Sequence, residues 1–182
     1  MFKDLGMIFI GLGSNLPSCA GPPRQTLAAA LARLAEHGIT LCGVSGFYES
    51  APLETPDPQP AYVNAVAAIA SGRTPEALLD CLLGIEAAFG RMRSRRRAAR
   101  TLDLDLLDWK GVVRPDAALW RAVAEGREEG ARLLLPHPRL HRRRFVLAPL
   151  AEIAPDWRHP VFGTSIPDLL QGVGDQQLER LP

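Results

Sequence analysis

Strand and helix signals follow a β-α-β-β-α-β order over residues 7–109, with proline and glycine bracketing both helices and a mostly helical remainder after them. These observations predict an α+β protein, a ferredoxin-like α/β sandwich whose mainly antiparallel sheet carries packed helices, plus a helical insertion.

Residues 7–12 are a short apolar run ending at Gly13, the pattern of a buried first strand. Pro22 and Pro23 open a helix that runs through Leu27, Leu31 and Leu34 and closes at Gly38. Residues 39–49 read as one second strand with glycine interruptions, and four prolines make residues 51–60 a loop. Residues 62–70 read as the third strand. Thr74 and Pro75 form a cap and first-turn pair for a helix to Phe89, closed by Gly90, with Leu78, Leu82, Ile85 and Phe89 on one face. The run RTLDLDLL then forms the last strand of the motif, and Gly111 turns the chain into Val112 and Val113. Beyond it, residues 116–132 are expected as a helical insertion, residues 142–151 as a helix bent or ended near Pro149, and residues 165–171 as a helix whose start shows a capping box, Ser165 with Asp168.

The 182 residues are expected to form one domain, 1–182, with residues 114–133 inserted in it. The composition, 47% hydrophobic with a net charge of +1, suits an ordinary globular protein and gives no bulk attraction for nucleic acid or membrane. Cys19, Cys42 and Cys81 are odd in number and far apart, without zinc-type spacing, which fits free thiols in a reducing cytoplasm. No run approaches the length of a membrane span, and the start lacks a signal-peptide cleavage pattern. A cytoplasmic monomer is the expectation.

Charge is unevenly distributed. Arg91, Arg93, Arg95, Arg96, Arg97 and Arg100 form one basic block; Arg139, Arg142, Arg143 and Arg144, with His137 and His141, form a second. Between them lies RTLDLDLL. Side chains alternate across a strand, so Leu102, Leu104 and Leu106 face the core while Asp103 and Asp105 share the other face, roughly 7 Å apart. Unpaired, the two carboxylates would repel by about 2 kcal/mol at an effective dielectric near 20. Taken alone, such a pair is more often the wet face of an amphipathic strand. The neighbouring arginines favour the alternative: carboxylates for a hard cation beside guanidinium groups for phosphate oxygens, the equipment of phosphoryl transfer. No GxxxxGK[ST] loop is present, which excludes a P-loop enzyme.

The segments IFIGLGSNL, FYESAPLE, AYVNAV, IEAAFGRMR, RRAARTLDLDLL and LPHPRLHRRRFVLAPLAEIAPDW, spread over residues 8–167, resemble the 6-hydroxymethyl-7,8-dihydropterin pyrophosphokinase family of folate biosynthesis. The resemblance implies transfer of the terminal pyrophosphoryl group of ATP to the pterin hydroxymethyl group, with release of AMP. It implies two Mg²⁺ ions on Asp103 and Asp105, with Arg91, Arg93 and Arg100 joining them as catalytic groups. Those arginines, Leu106, His137 and Arg143 would contact ATP. Tyr62 and Phe145 would sandwich the pterin, Asn64 would bond its edge, and Ser50, Ala51 and Leu53 would offer it backbone groups. Stacking suits a flat ring, a fixed amide suits its donor–acceptor edge, and guanidinium forks suit a polyphosphate. Residues 91–99 are expected to order on binding ATP, as lids do. Members of the family it resembles often carry tryptophan and proline before the arginine matching Arg100, where this chain has RAAR. No family role is implied for the insertion, no general base stands out, and Glu86, just before the arginines, is expected to pair with one of them. An RNA-binding sheet would carry an RGFGFVxF-like strand, which is absent. A nucleotidyl transferase would place its aspartates close to GSN at residues 13–15, not so far downstream.

Overall fold

A computed structural model describes residues 6–53, 58–91, 98–129 and 131–182. Arg93, the rest of residues 92–97 and part of the proline loop, residues 54–57, lie outside the described residues, and with them most of the expected lid. The chain runs β1 (Ile8–Ser14), α1 (Pro23–Glu36), β2 (Thr40–Val44), β3 (Tyr48–Ser50), β4 (Tyr62–Ala70), α2 (Pro75–Ala88), β5 (Asp103–Trp109), α3 (Ala117–Ala124), a 3-10 turn (Leu140–Arg142), α4 (Arg144–Ile153), α5 (Ile166–Gly172) and β6 (Leu178–Arg180). The sheet is antiparallel in the order β5-β1-β4-β3-β6, with β2 also beside β4.

The single second strand expected over residues 39–49 is two strands. Ser45 replaces the ladder locally: its N–H donates to Val66 O at 3.0 Å and its Oγ accepts from Val66 N–H at 3.0 Å. Gly46 N–H leaves the sheet for Glu152 Oε2 of α4 at 2.6 Å. The helix expected to be bent or ended near Pro149 does not end there. Pro149 sits inside α4, and the burial of Val146, Leu147 and Leu150 offsets the one backbone bond it forgoes. The insertion is less helical than expected. Asp116 caps α3 by accepting from Ala118 N–H and Leu119 N–H, both at 2.9 Å, but Gly126, at φ +74°, turns the chain away soon after Ala124.

The sheet has a core on each face. Under α1 and α2 lie Ile8, Ile10, Leu12, Leu104 and Leu106 with Leu27, Leu34, Leu78, Leu82 and Ile85. Under α4 and α5 lie Phe9, Val66 and Leu107 with Val146, Leu147, Leu150 and Ile166. Both consecutive leucines of RTLDLDLL are therefore buried, on opposite faces. A bulge follows: Phe9 pairs with Asp108 and Ile10 with Leu106, leaving Leu107 as the extra residue. Asp108 is thereby aimed at α4's face, where its buried carboxylate accepts from Trp157 Nε1 at 2.8 Å.

Candidate active site

The α4 face of the sheet has a gap above β1. Gly13 pairs with Asn64 on one side and Asp103 on the other; Gly11 pairs with Val66 and Asp105. Paired residues share a face, so Asn64, Asp103 and Asp105 look the same way. A Cβ on Gly13 would stand 3.6 Å from Asn64 Oδ1, 3.8 Å from Asp103 Cβ and 3.9 Å from Tyr62 Cδ1. The missing side chain leaves a floor with an aromatic and an amide at one side and two carboxylates at the other.

Each carboxylate is met by cations delivered from separate elements. Gly90 closes α2 and turns Arg91 back onto Glu86, with which it pairs, and onto Asp103 Oδ1 at 2.5 Å. Arg100 pairs with Asp103 Oδ2. The end of β1 latches the Arg100 backbone: Arg100 N–H donates to Asn15 Oδ1 at 2.7 Å, its carbonyl accepts from Asn15 N–H at 3.0 Å, and Ser14 Oγ donates to Thr101 O at 2.6 Å. Asn15 Nδ2 also donates to Pro60 O at 3.2 Å, so one amide ties the proline loop to the arginine. His137 N–H donates to Leu107 O at 2.7 Å. Its Nδ1 accepts from Arg139 N–H at 3.2 Å, which leaves Nε2 3.8 Å from Asp105 Oδ2. Arg143 Nη1 lies 3.3 Å from the same oxygen, and its guanidinium sits 5.5 Å from the centre of the Phe145 ring.

Desolvation and the neighbouring Asp105 push the Asp103 carboxyl upward against Arg100 and Arg91. Desolvation also acts upward on Asp105, but His137, Arg143, Arg100 and Arg91 outweigh it and hold this carboxyl below the usual range. Burial drives His137 down to about 4, against the pull of Asp105. Glu86, almost wholly buried, is pushed up to about 7, chiefly by desolvation; its Oε1 accepts from Leu104 N–H at 2.7 Å.

Among the residues singled out in the sequence, the structure brings together Arg91, Arg100, Asp103, Asp105, His137 and Arg143. Asn64, Tyr62 and Ser50 gather at the other side of the floor, with Asn64 Nδ2 donating to Ser50 Oγ at 3.0 Å. Phe145 packs, half-buried, against the α4–α5 core, and Ala51 and Leu53 are exposed. The Leu106 side chain points into the opposite core, so only its backbone is available to a ligand. It shares the parity of Leu104, whose N–H points to the outer edge of β5. Ser14 and Asn15 carry structure that the sequence reading did not assign to them. GSN was visible as a motif, but nothing in it shows that Asn15 bonds a residue 85 positions away.

An antiparallel α+β sheet that gathers paired carboxylates and fixed arginines above a glycine floor is the frame of a phosphoryl-transfer enzyme. The family model described as 7,8-dihydro-6-hydroxymethylpterin-pyrophosphokinase matches residues 9–155. The chain is 40% identical over 178 residues to the 2-amino-4-hydroxy-6-hydroxymethyldihydropteridine pyrophosphokinase of Pseudomonas aeruginosa, covering 96% of both proteins. It is 39% identical to the protein of the same name from Synechocystis sp., over 90% of this chain and 74% of that one. Among solved structures, an HPPK-DHPS crystal structure in complex with substrates gives a TM-score of 0.63 at 13% identity, over 92% of this chain and 43% of the other. The wild-type HPPK-DHPS of Plasmodium falciparum gives 0.64 at 12%, over 93% and 45%. The chain spans less than half the length of those two structures, which speak for the fold alone. The chain belongs to the 7,8-dihydro-6-hydroxymethylpterin-pyrophosphokinase family. It is a diphosphotransferase of folate synthesis, moving a pyrophosphoryl group from ATP to 6-hydroxymethyl-7,8-dihydropterin.

Proposed function

We propose that the floor above Gly13 is where this transfer takes place, by attack of the pterin hydroxymethyl oxygen on the β-phosphorus of ATP and departure of AMP. The observation that carries the reading is the cross-strand row Asn64–Gly13–Asp103. Two strand spacings, about 10 Å, separate the amide from the carboxylate. A bicyclic ring laid over Gly13 with its edge at Asn64 directs its one-carbon arm toward Asp103. Tyr62 and Phe145 flank the ring, and Ser50, Ala51 and Leu53 border its edge.

Asp103 and Asp105 fit a pair of Mg²⁺ ions. They offer hard oxygen donors side by side above a position without a Cβ, and the described residues hold no cluster of three or more His, Cys, Asp or Glu that would enclose a metal. One or two carboxylates, with phosphate and water completing the shell, is the usual Mg²⁺ arrangement. When bound, Mg²⁺ supplies charge neutralisation along the phosphates and polarises the attacking hydroxyl. The chain's own groups do the rest. Arg91, Arg93, Arg100, His137 and Arg143 bind and orient the triphosphate, and Glu86 keeps Arg91 aimed at the site. The outer-edge backbone at Leu106 meets the nucleotide.

The same reading makes the protein a cytoplasmic monomer of one domain, with the segment around α3 inserted in it. The thiols of Cys19, Cys42 and Cys81 are free, as suits a reducing compartment. Among the described residues no helix is long and apolar enough to cross a membrane. The test is AMP formation from ATP and Mg²⁺ with and without 6-hydroxymethyl-7,8-dihydropterin. AMP should form only with the pterin; equal release without it, or none with it, overturns the reading.

A further inference from the structure

The family match ends at Pro155, yet the chain beyond it returns to the site. After α5, β6 runs beside β3 and pairs Leu178 with Ser50; Leu181 N–H then donates to Phe47 O at 2.8 Å. Just before β6, Gln176 turns its side chain onto the start of α4. Its Oε1 accepts from Arg144 N–H at 2.9 Å, and its Nε2 donates to Arg142 O at 3.0 Å. An amide side chain can do both at once because it carries a donor and an acceptor side by side. One group thus holds the backbone on each side of Arg143.

That backbone needs an outside partner. The first N–H groups of a helix have no acceptor within it, Arg144 is the first residue of α4, and Arg143, at the cap position, contributes no side-chain cap. Arg143 is extended, at φ −123° and ψ 105°, so its side chain leaves the helix line toward Asp105 while Phe145 starts the first turn. A change in these two dihedrals would move both side chains together. The returning segment also walls a cleft of about 510 Å³ whose lining includes Ser50, Ala51, Arg144, Gln176 and Leu178. The cleft thus shares Ser50 and Ala51 with the expected ring slot.

We propose that Gln176 is a positioning residue for pyrophosphoryl transfer: its amide fixes the Arg142–Arg144 backbone so that Arg143 faces Asp105 and Phe145 flanks the ring. This rests on the reading, given above, that Arg143 and Phe145 meet the substrates.

The test is a double-mutant cycle on the full chain: Gln176→Ala, Arg143→Ala and the two together. AMP formation is measured at enzyme concentrations that resolve residual turnover, with melting temperatures in parallel. Gln176→Ala should lower kcat/KM by about tenfold, since small misplacements of a substrate-holding group are expensive in rate. In the Arg143→Ala background the second substitution should cost clearly less than it does in the wild type, because only the part that passes through Phe145 remains. Gln176→Glu keeps the acceptor for Arg144 N–H and loses the donor to Arg142 O, so it should recover part of the loss. It also takes the place of Gln176→Ala in the cycle if that variant does not fold. Losses that multiply in the double variant, or a lower melting temperature with unchanged turnover, overturn the proposal alone. Wild-type turnover by Arg143→Ala overturns the reading of the site and this proposal with it.

Discussion

At the scale of single residues, the carboxylate pair shows what a strand pattern reveals and what it omits. Alternation alone places Asp103 and Asp105 on one face, and they are there. Their repulsion, about 2 kcal/mol when nothing else is near, would make Asp105→Asn a relief to the empty protein. The structure reverses that sign. Arg143 lies 3.3 Å from Asp105 and His137 lies 3.8 Å away, while Arg91 and Arg100 occupy Asp103. Neutralising Asp105 leaves the Arg143 guanidinium without its carboxylate, so we expect Asp105→Asn to melt slightly lower than the wild type in the absence of ligands. We expect AMP formation to fall on the order of a hundredfold or more at saturating Mg²⁺, by analogy with loss of one group that stabilises transition-state charge. A calorimetric scan and a turnover assay of the one variant check both. Near-native turnover would remove Asp105 from the metal site. The cations themselves could not be located from sequence: which arginines of two basic blocks reach which oxygen depends on turns at Gly90 and at the start of α4, not on spacing.

At the scale of elements, the helices and long strands were legible because each carries its own signal. Thr74 caps α2, accepting from Ala77 N–H at 3.3 Å, and residues 62–70 form β4 with the expected bounds. β6 was not legible, since three residues cannot display an alternation, and its place beside β3 comes with contacts distant in sequence, such as Arg180 Nε with Glu152 Oε1 of α4 at 2.9 Å. The joint between α2 and β5 was half legible. Glu86 was expected to pair with an arginine and does, but its second task appears only in three dimensions: it accepts from Leu104 N–H on the outer edge of β5. A buried donor without an acceptor costs about 1–3 kcal/mol. Glu86→Ala removes the acceptor from Leu104 and a partner from Arg91, so we expect it to lose stability of about that size. Glu86→Gln retains an acceptor for Leu104 and should lose less. Urea unfolding of both variants tests this, and equal losses would mean that the charge, not the strand-edge bond, is what α2 contributes.

At the scale of the whole molecule, α3 meets the segments around His141 and His159 through a box of rings. Trp120 of α3, fully buried, lies 5.1 Å from His159 and 5.7 Å from His141; His159 stacks on Phe162 at 4.5 Å. Each histidine accepts a hydrogen bond at one nitrogen, His141 Nε2 from Arg142 Nε at 3.1 Å and His159 Nδ1 from Val161 N–H at 3.2 Å. Their other nitrogens, His141 Nδ1 and His159 Nε2, are buried with no hydrogen-bond partner among the described residues. The charged side chains around the box are cationic: Arg142 on His141, and Arg121 and Arg158 on the carbonyls of Val161 and Gly163. Burial brings both histidines down to about 4, with Arg142 adding to the effect at His141 and His141 adding to it at His159. The folded protein therefore keeps both neutral, while the unfolded chain protonates them below about 6.5. The unfolded state binds more protons in that window, so stability is fully present above pH 6.5 and is lost as pH falls toward 4. We expect the melting temperature to drop between pH 7 and pH 4.5 on account of this box. His159→Asn offers an oxygen to Val161 N–H and has no proton to gain. It should melt lower than the wild type at pH 7 yet lose less on acidification. Scans of both proteins at the two pH values decide it: parallel losses would assign the acid sensitivity to carboxylates elsewhere, and a flatter response in the variant assigns it to the rings that hold α3 against the rest of the fold.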